Sequence, residues 1–186
     1  YLKYVANLTD EKYFWYLDRF AVFFSSAPIA LVLGLLMTKP LSRLFGKRNA
    51  LIGLTMLNAL SVLAFYFVPA TNFSLIFWLN IFTAFVSGPM PVLVWSIYTD
   101  VVDYGEWKFG RRITALTFAA AMFVQKTGLA LGTGLMGILL TYFGYIANVE
   151  QSAESSHGIL LMFSIIPGVL TILSGIVLFW YPLRDD

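Results

Sequence analysis

Six charged residues crowd into the fourteen positions from Thr99 to Arg112: Asp100, Asp103, Glu106, Lys108, Arg111 and Arg112. The acids come first, three residues apart, and two of the three bases close the run. On a helix, residues three apart share a face, so the order makes a ladder of carboxylates with cations at its foot. A ladder of this kind suits ion pairs that form in one conformational state and break in another; a merely solvated connection is the plainer reading.

A second charge stands alone. Lys126 is the one charged residue in the apolar run from Ile113 to Tyr145. A lysine at the centre of a membrane helix costs about 2.5–3.5 kcal/mol. It therefore needs a partner, an escape to the interface, or a wet cavity to face. No acid in the apolar runs stands at its depth, so a partner is expected from another segment, a substrate or the site of a coupling ion. Other sources of chemistry are thin. With no cysteine and one histidine, thiolate and multi-histidine metal sites are excluded. His157, beside Ser155 and Ser156, has no base or acid placed for a triad. The run Gly132-Thr133-Gly134-Leu135-Met136-Gly137 matches GxGxxG, yet no strand precedes it; with Gly128, these small residues are expected to let a neighbouring helix approach.

The elements that must position these residues follow from composition. The chain has 186 residues, 59% hydrophobic, 17% aromatic and 12% charged, with a mean hydropathy of +0.79, well outside the range of soluble domains. A formal net charge of +2 with scattered bases gives no nucleic-acid footprint. Crossing about 30 Å of hydrocarbon takes about 20 apolar residues as a helix. Five runs meet that length, over about 17–38, 50–68, 73–99, 113–145 and 158–182, with connecting loops at about 39–49 and 100–112. Lys39, Arg43, Lys47 and Arg48, then Lys108, Arg111 and Arg112, then Arg184 all fall on one side, which the bias of Lys and Arg toward the cytoplasm makes the inner side. Ser87-Gly88-Pro89-Met90-Pro91 should kink the third run at mid-depth, either to free carbonyls toward a cavity or to improve packing. Trp15, Tyr16, Trp180 and Tyr181 read as interfacial belts. Trp95 could stack on a sugar ring or serve in packing. The opening residues, Tyr1 to Asn7, read as the last turn of a further helix, so the expectation is a fragment with five complete spans.

Asp100-x-x-Asp103-Tyr104-Gly105-Glu106-Trp107-Lys108-x-Gly110-x-Arg112, followed by Phe118, Phe123, Lys126, Gly128, Gly144-Tyr145-x-x-Asn148 and Gln151-Ser152, resembles the glycoside/pentoside/hexuronide:cation symporters of the major facilitator superfamily, which include melibiose and glucuronide permeases. The resemblance runs from about Pro91 to Pro182. It implies an all-α integral membrane protein, the C-terminal six-helix half of a twelve-helix fold, working with an N-terminal half in the bacterial inner membrane. It implies that Lys126 lies near the sugar and cation sites, that Gln125 and Trp95 line the cavity, and that Asp100, Asp103, Glu106, Arg111 and Arg112 belong to a cytoplasmic gate. Ala115 departs from the glycine common at that position in relatives. No cofactor is implied beyond a coupling ion, Na⁺ or H⁺, whose acids lie in the other half. The expected function is symport of a sugar, glycoside or glucuronide with that cation. The alternatives are a non-transporting receptor or scaffold and, further off, a membrane-embedded enzyme, for which the spans offer no clustered nucleophile, base or metal ligands.

Overall fold

The computed structural model describes residues 12–14, 17–69, 71–147, 149 and 151–181. A short antiparallel pair, β1 (Lys12–Phe14) and β2 (Leu17–Asp18), precedes the helices. Then follow α1 (Arg19–Leu36), α2 (Thr38–Phe45), α3 (Lys47–Ala64) with a 3₁₀ turn at Phe65–Phe67, α4 (Phe73–Ser87), α5 (Met90–Phe109), α6 (Thr114–Tyr142), α7 (Ala153–Phe163) and α8 (Ile165–Leu178). Four helical stretches are long and apolar enough to cross a membrane, and the bent pair α1–α2 would make a fifth.

Local chemistry sets the ends. The Asn72 side chain accepts from the Leu75 N–H at 3.2 Å and opens α4, and Ser152 does the same for α7 through the Ser155 N–H at 3.1 Å, each satisfying a donor that the first turn leaves without a helical partner. At the far end of α5, Gly110 adopts φ 65° and its N–H bonds the Glu106 carbonyl at 2.8 Å. The left-handed conformation costs a glycine little, and it closes the helix.

Packing joins α1 to α4 through close backbone approaches and α3 to α8 through side chains seated on glycines. A Cβ at Gly34 would run into the Phe85 carbonyl, and one at Gly88 into the Leu31 carbonyl. At the second seam, Gly168 lies under Leu63 and Gly175 under Met56. Lipid gives helices no hydrophobic reason to associate, so small residues that admit tight contact do that work. Two amides add to it: Asn58 Nδ2 donates to the Thr83 carbonyl and Asn80 Nδ2 to the Phe23 carbonyl, both at 3.3 Å. Two apolar clusters fill the remaining space, Phe23, Phe65, Phe73 and Ile76 in one, Ala50, Leu51, Leu93 and Ile97 in the other. By contrast α6 has no buried residue along its 29 positions. It rests on the bundle at its two ends, where Phe118 stacks on Trp95 and Phe143 fills the space over Gly158.

Several expectations are corrected. The segment 100–112, expected as a loop, is mostly helix, as the spacing of its acids suggested: α5 continues through Asp100, Asp103 and Glu106 to Phe109, leaving a short link at 110–113. Likewise 39–49 is largely helical, being α2 and the start of α3. Hydropathy marks where a helix leaves hydrocarbon, whereas backbone hydrogen bonding carries it further. The first helix starts at Arg19, after a strand at Leu17–Asp18. The last run begins earlier than expected, at Ala153, and is interrupted at Ser164. The α6 glycines do not seat a neighbour: a Cβ at Gly128, Gly132, Gly134 or Gly137 would meet nothing within 4 Å among the described residues. The expected helix end at Tyr1–Asn7, the belt residues Trp15 and Tyr16, and Asn148 and Arg184 lie outside the described residues.

Candidate functional site

The charged end is built by three helices. Together α4 and α5 form a 37-residue stretch, about 55 Å long at 1.5 Å per residue. Hydrocarbon takes up about 30 Å, so the last turns of α5 stand beyond it and carry the carboxylates. Ala50 and Leu51 pack against Leu93 and Ile97, which brings the start of α3 beside the second half of α5. There Lys47 Nζ donates to both oxygens of Asp100, at 2.7 and 2.8 Å. Further along α5, Arg112 Nη1 donates to Glu106 Oε2 at 2.8 Å, and its Nη2 lies 3.4 Å from Asp103 Oδ1. Gly110 turns the chain so that Arg112 folds back on the ladder. Lys108 sits 5.5 Å from the Tyr104 ring and 5.6 Å from the Phe109 ring, a distance at which a cation is attracted to the ring face. Arg111 is exposed and has no acidic partner among the described residues.

The neighbouring Arg48 is used differently. Its Nε donates to the Leu178 carbonyl at 3.4 Å and its Nη2 to the Phe179 carbonyl at 2.7 Å. These carbonyls are the end of α8, where acceptors lack helical donors and a cation is favoured by the helix dipole. In the sequence Lys47 and Arg48 read only as topology signals; nothing in their local pattern names partners 53 and 131 residues away.

Lys126 lies thirteenth in α6, about 18 Å along the helix axis from its start. Both Lys126 and Gln125 are exposed. Phe118, Met122 and Gln125 follow one another on the face that meets α5. Lys126, four residues after Met122 and so close to the same face, lies in the stretch 122–138 of α6, where every residue is exposed. Trp95 does not join it. Its ring stacks on Phe118 at 5.7 Å with 13° between planes and meets Tyr98 edge-on at 5.6 Å, two turns of α6 away. One face of the indole is therefore taken by Phe118, and Trp95 holds α6 to α5.

The break at Gly88–Pro89 is a packing joint, with Gly88 against the α1 backbone and Pro89 fully buried. Gln151 braces the turn into α7: Nε2 donates to the Ile146 and Val149 carbonyls at 2.6 and 2.8 Å, and Oε1 accepts from Ser155 Oγ at 3.0 Å. His157 is exposed, its ring edge-on to Tyr66 at 6.2 Å. Among the described residues no group of three or more His, Cys, Asp or Glu could hold a metal ion.

Apolar helices of spanning length, joined by glycine seams and, Lys126 apart, carrying their charges near their ends, define an integral membrane protein. The chain belongs to the MFS/sugar transport protein family, which it matches over residues 1–185. It is 33% identical over 154 residues to an uncharacterized 29.9 kDa protein of Pseudescherichia vulneris, covering 82% of this chain and 56% of the relative. It is 33% identical over 171 residues to the inner membrane symporter YicJ of Escherichia coli, covering 86% and 35%. To the glucuronide carrier protein homolog of Escherichia coli it is 29% identical over 140 residues, covering 75% and 31%. The chain thus spans about a third to just over half the length of these relatives. No solved structure matches it significantly.

Proposed function

We propose that the chain is the C-terminal half of a secondary active symporter in a bacterial inner membrane. It moves a sugar, glycoside or glucuronide together with Na⁺ or H⁺ by alternating access, and its partner is an N-terminal six-helix half of the same protein. In this reading α1, α3, α4–α5, α6 and α7–α8 are helices eight to twelve. The family's description as sugar transport proteins, a symporter of the inner membrane and a glucuronide carrier homolog among the relatives all support it.

The observation that carries the proposal is Lys126, an ammonium midway along an apolar helix whose middle, residues 122–138, is exposed on every side. Facing lipid, it would bear the full insertion cost. Facing a wet cavity between the two halves, it keeps hydration and can couple the occupancy of substrate and cation by Coulomb interaction, which is stronger there than in bulk water. Gln125, on the neighbouring face, supplies a hydrogen-bonding group to the same space. At the inner end, the pairs Lys47–Asp100 and Arg112 with Asp103 and Glu106 form and break as the halves rock.

The test is ion-driven uptake of a labelled glycoside by the full-length protein in liposomes. Wild type accumulates sugar down an imposed Na⁺ or H⁺ gradient, and Lys126→Ala does not. Undiminished accumulation by the variant would reject the role of Lys126. Absence of flux for every sugar tried would favour a receptor or scaffold.

A further inference from the structure

The stretch from Thr38 to Arg48 carries Lys39, Arg43, Lys47 and Arg48 and no acid. Two of these bases are committed to the fold, Lys47 to Asp100 and Arg48 to the end of α8. Lys39 and Arg43 are exposed and have no acidic partner among the described residues. They are four residues apart on α2 and so share a face.

Their depth is set by geometry. α1 has 18 residues, about 27 Å of helix, close to the thickness of hydrocarbon. At Met37 the chain bends by 43° into α2. α2 therefore leaves the membrane axis at the level of the headgroups. Its opposite face is apolar: Leu41 packs into the Ala50–Leu93 cluster, while Leu44 and Phe45 are 75% and 58% exposed. A short helix with bases on one side and bare apolar residues on the other has the pattern of an interfacial element.

A cleft of about 390 Å³ opens beside it, between the α1–α2 bend and α5. Leu35 and Val92 line its apolar part, and Thr38, Ser42, Ser96 and Lys39 line its polar part. The Thr38 hydroxyl donates to the Leu35 carbonyl at 2.7 Å, which leaves the Ser42 and Ser96 hydroxyls and the Lys39 ammonium as donors for a phosphate, next to an apolar wall for the start of an acyl chain. From this we infer that the cleft binds an anionic phospholipid, its phosphodiester at Lys39 with Arg43 nearby and its glycerol and first methylenes against Leu35 and Val92. Basic pockets at the cytoplasmic ends of membrane helices recognise acidic headgroups in this way, each base contributing through the charge of the lipid.

Native mass spectrometry of the full-length protein, titrated with phosphatidylglycerol or phosphatidylcholine, tests the site. Wild type should retain phosphatidylglycerol at least about tenfold more strongly than phosphatidylcholine, and Lys39→Gln/Arg43→Gln should lose that preference. Lys108→Gln, on the distal part of α5, should keep it. Val92→Trp leaves every charge in place and fills the apolar part, so it should lower retention on its own. Equal retention by wild type and the double variant, or equal retention of the two lipids, would overturn the proposal. Displacement of the lipid by an equal concentration of inorganic phosphate would do so too, since it would show a site for the bare anion.

Discussion

Lys47 and Asp100, 53 residues apart, meet through two short hydrogen bonds from one ammonium to both carboxylate oxygens. The pair locks the start of α3 to the last turns of α5 at the point where both leave the apolar layer. Each side chain is 31% exposed, so water screens the interaction and its contribution to stability is about 1 kcal/mol or less. An interaction of that size is well placed to be broken and remade during a conformational cycle.

Reversing the pair separates its charge from its position. Asp100→Asn should slow turnover in the full-length protein while leaving sugar affinity nearly unchanged. The swap Lys47→Asp/Asp100→Lys should recover most of the lost rate. A swap no faster than the single variant, measured by uptake kinetics alongside equilibrium sugar binding, would show that the two residues do not act as a couple.

Arg112 ties Glu106 and Asp103 from an exposed position. Arg112→Gln should cost little stability, within about 0.5 kcal/mol, as expected for surface ion pairs. It should nonetheless slow exchange between inward-open and outward-open states. Unaltered turnover would remove Arg112 from the gate.

The glycine seam makes a contrast within one protein. Gly34→Val and Gly88→Val push a side chain into a carbonyl of the facing helix and should each destabilise by about 1–3 kcal/mol, as overpacking does. Gly53, inside α3, has nothing within 4 Å of where a Cβ would stand; Gly53→Ala should be neutral or stabilise by up to about 1 kcal/mol. Thermal unfolding in detergent ranks the three, and a Gly53→Ala as damaging as the seam variants would contradict the packing.

The chain has no cysteine, which makes Lys126→Cys a clean probe of solvent at mid-span. A charged, membrane-impermeant thiol reagent should modify it, and saturating sugar should slow the reaction. If Arg111→Cys reacts and Lys126→Cys does not, position 126 faces lipid and the proposed cavity is not there.

The apolar runs gave the class of protein, because hydrocarbon imposes its thickness and its aversion to charge on every residue in turn. The limits of the helices were less legible. Once begun, a helix such as α5 continues past Thr99 for as long as its carbonyls find donors, and the polar composition of 100–109 does not stop it before Gly110. The α6 glycines were less legible for a related reason: a small residue permits close approach but does not supply the neighbour, and among the described residues the approach occurs at Gly34, Gly88, Gly168 and Gly175.

Sequence alone determined that these helices sit in a membrane, that Lys126 is anomalous there, and that the acids from Asp100 to Glu106 share a helical face, since each follows from composition or from the period of one helix. Only the tertiary structure decided that Asp100 pairs with Lys47, that Arg48 caps α8, and that Trp95 spends one ring face on Phe118. Those partners lie 23 to 131 positions apart along the chain, and a side chain's partner at that separation is set by which helices pack together and at what depth, not by any periodicity along one of them.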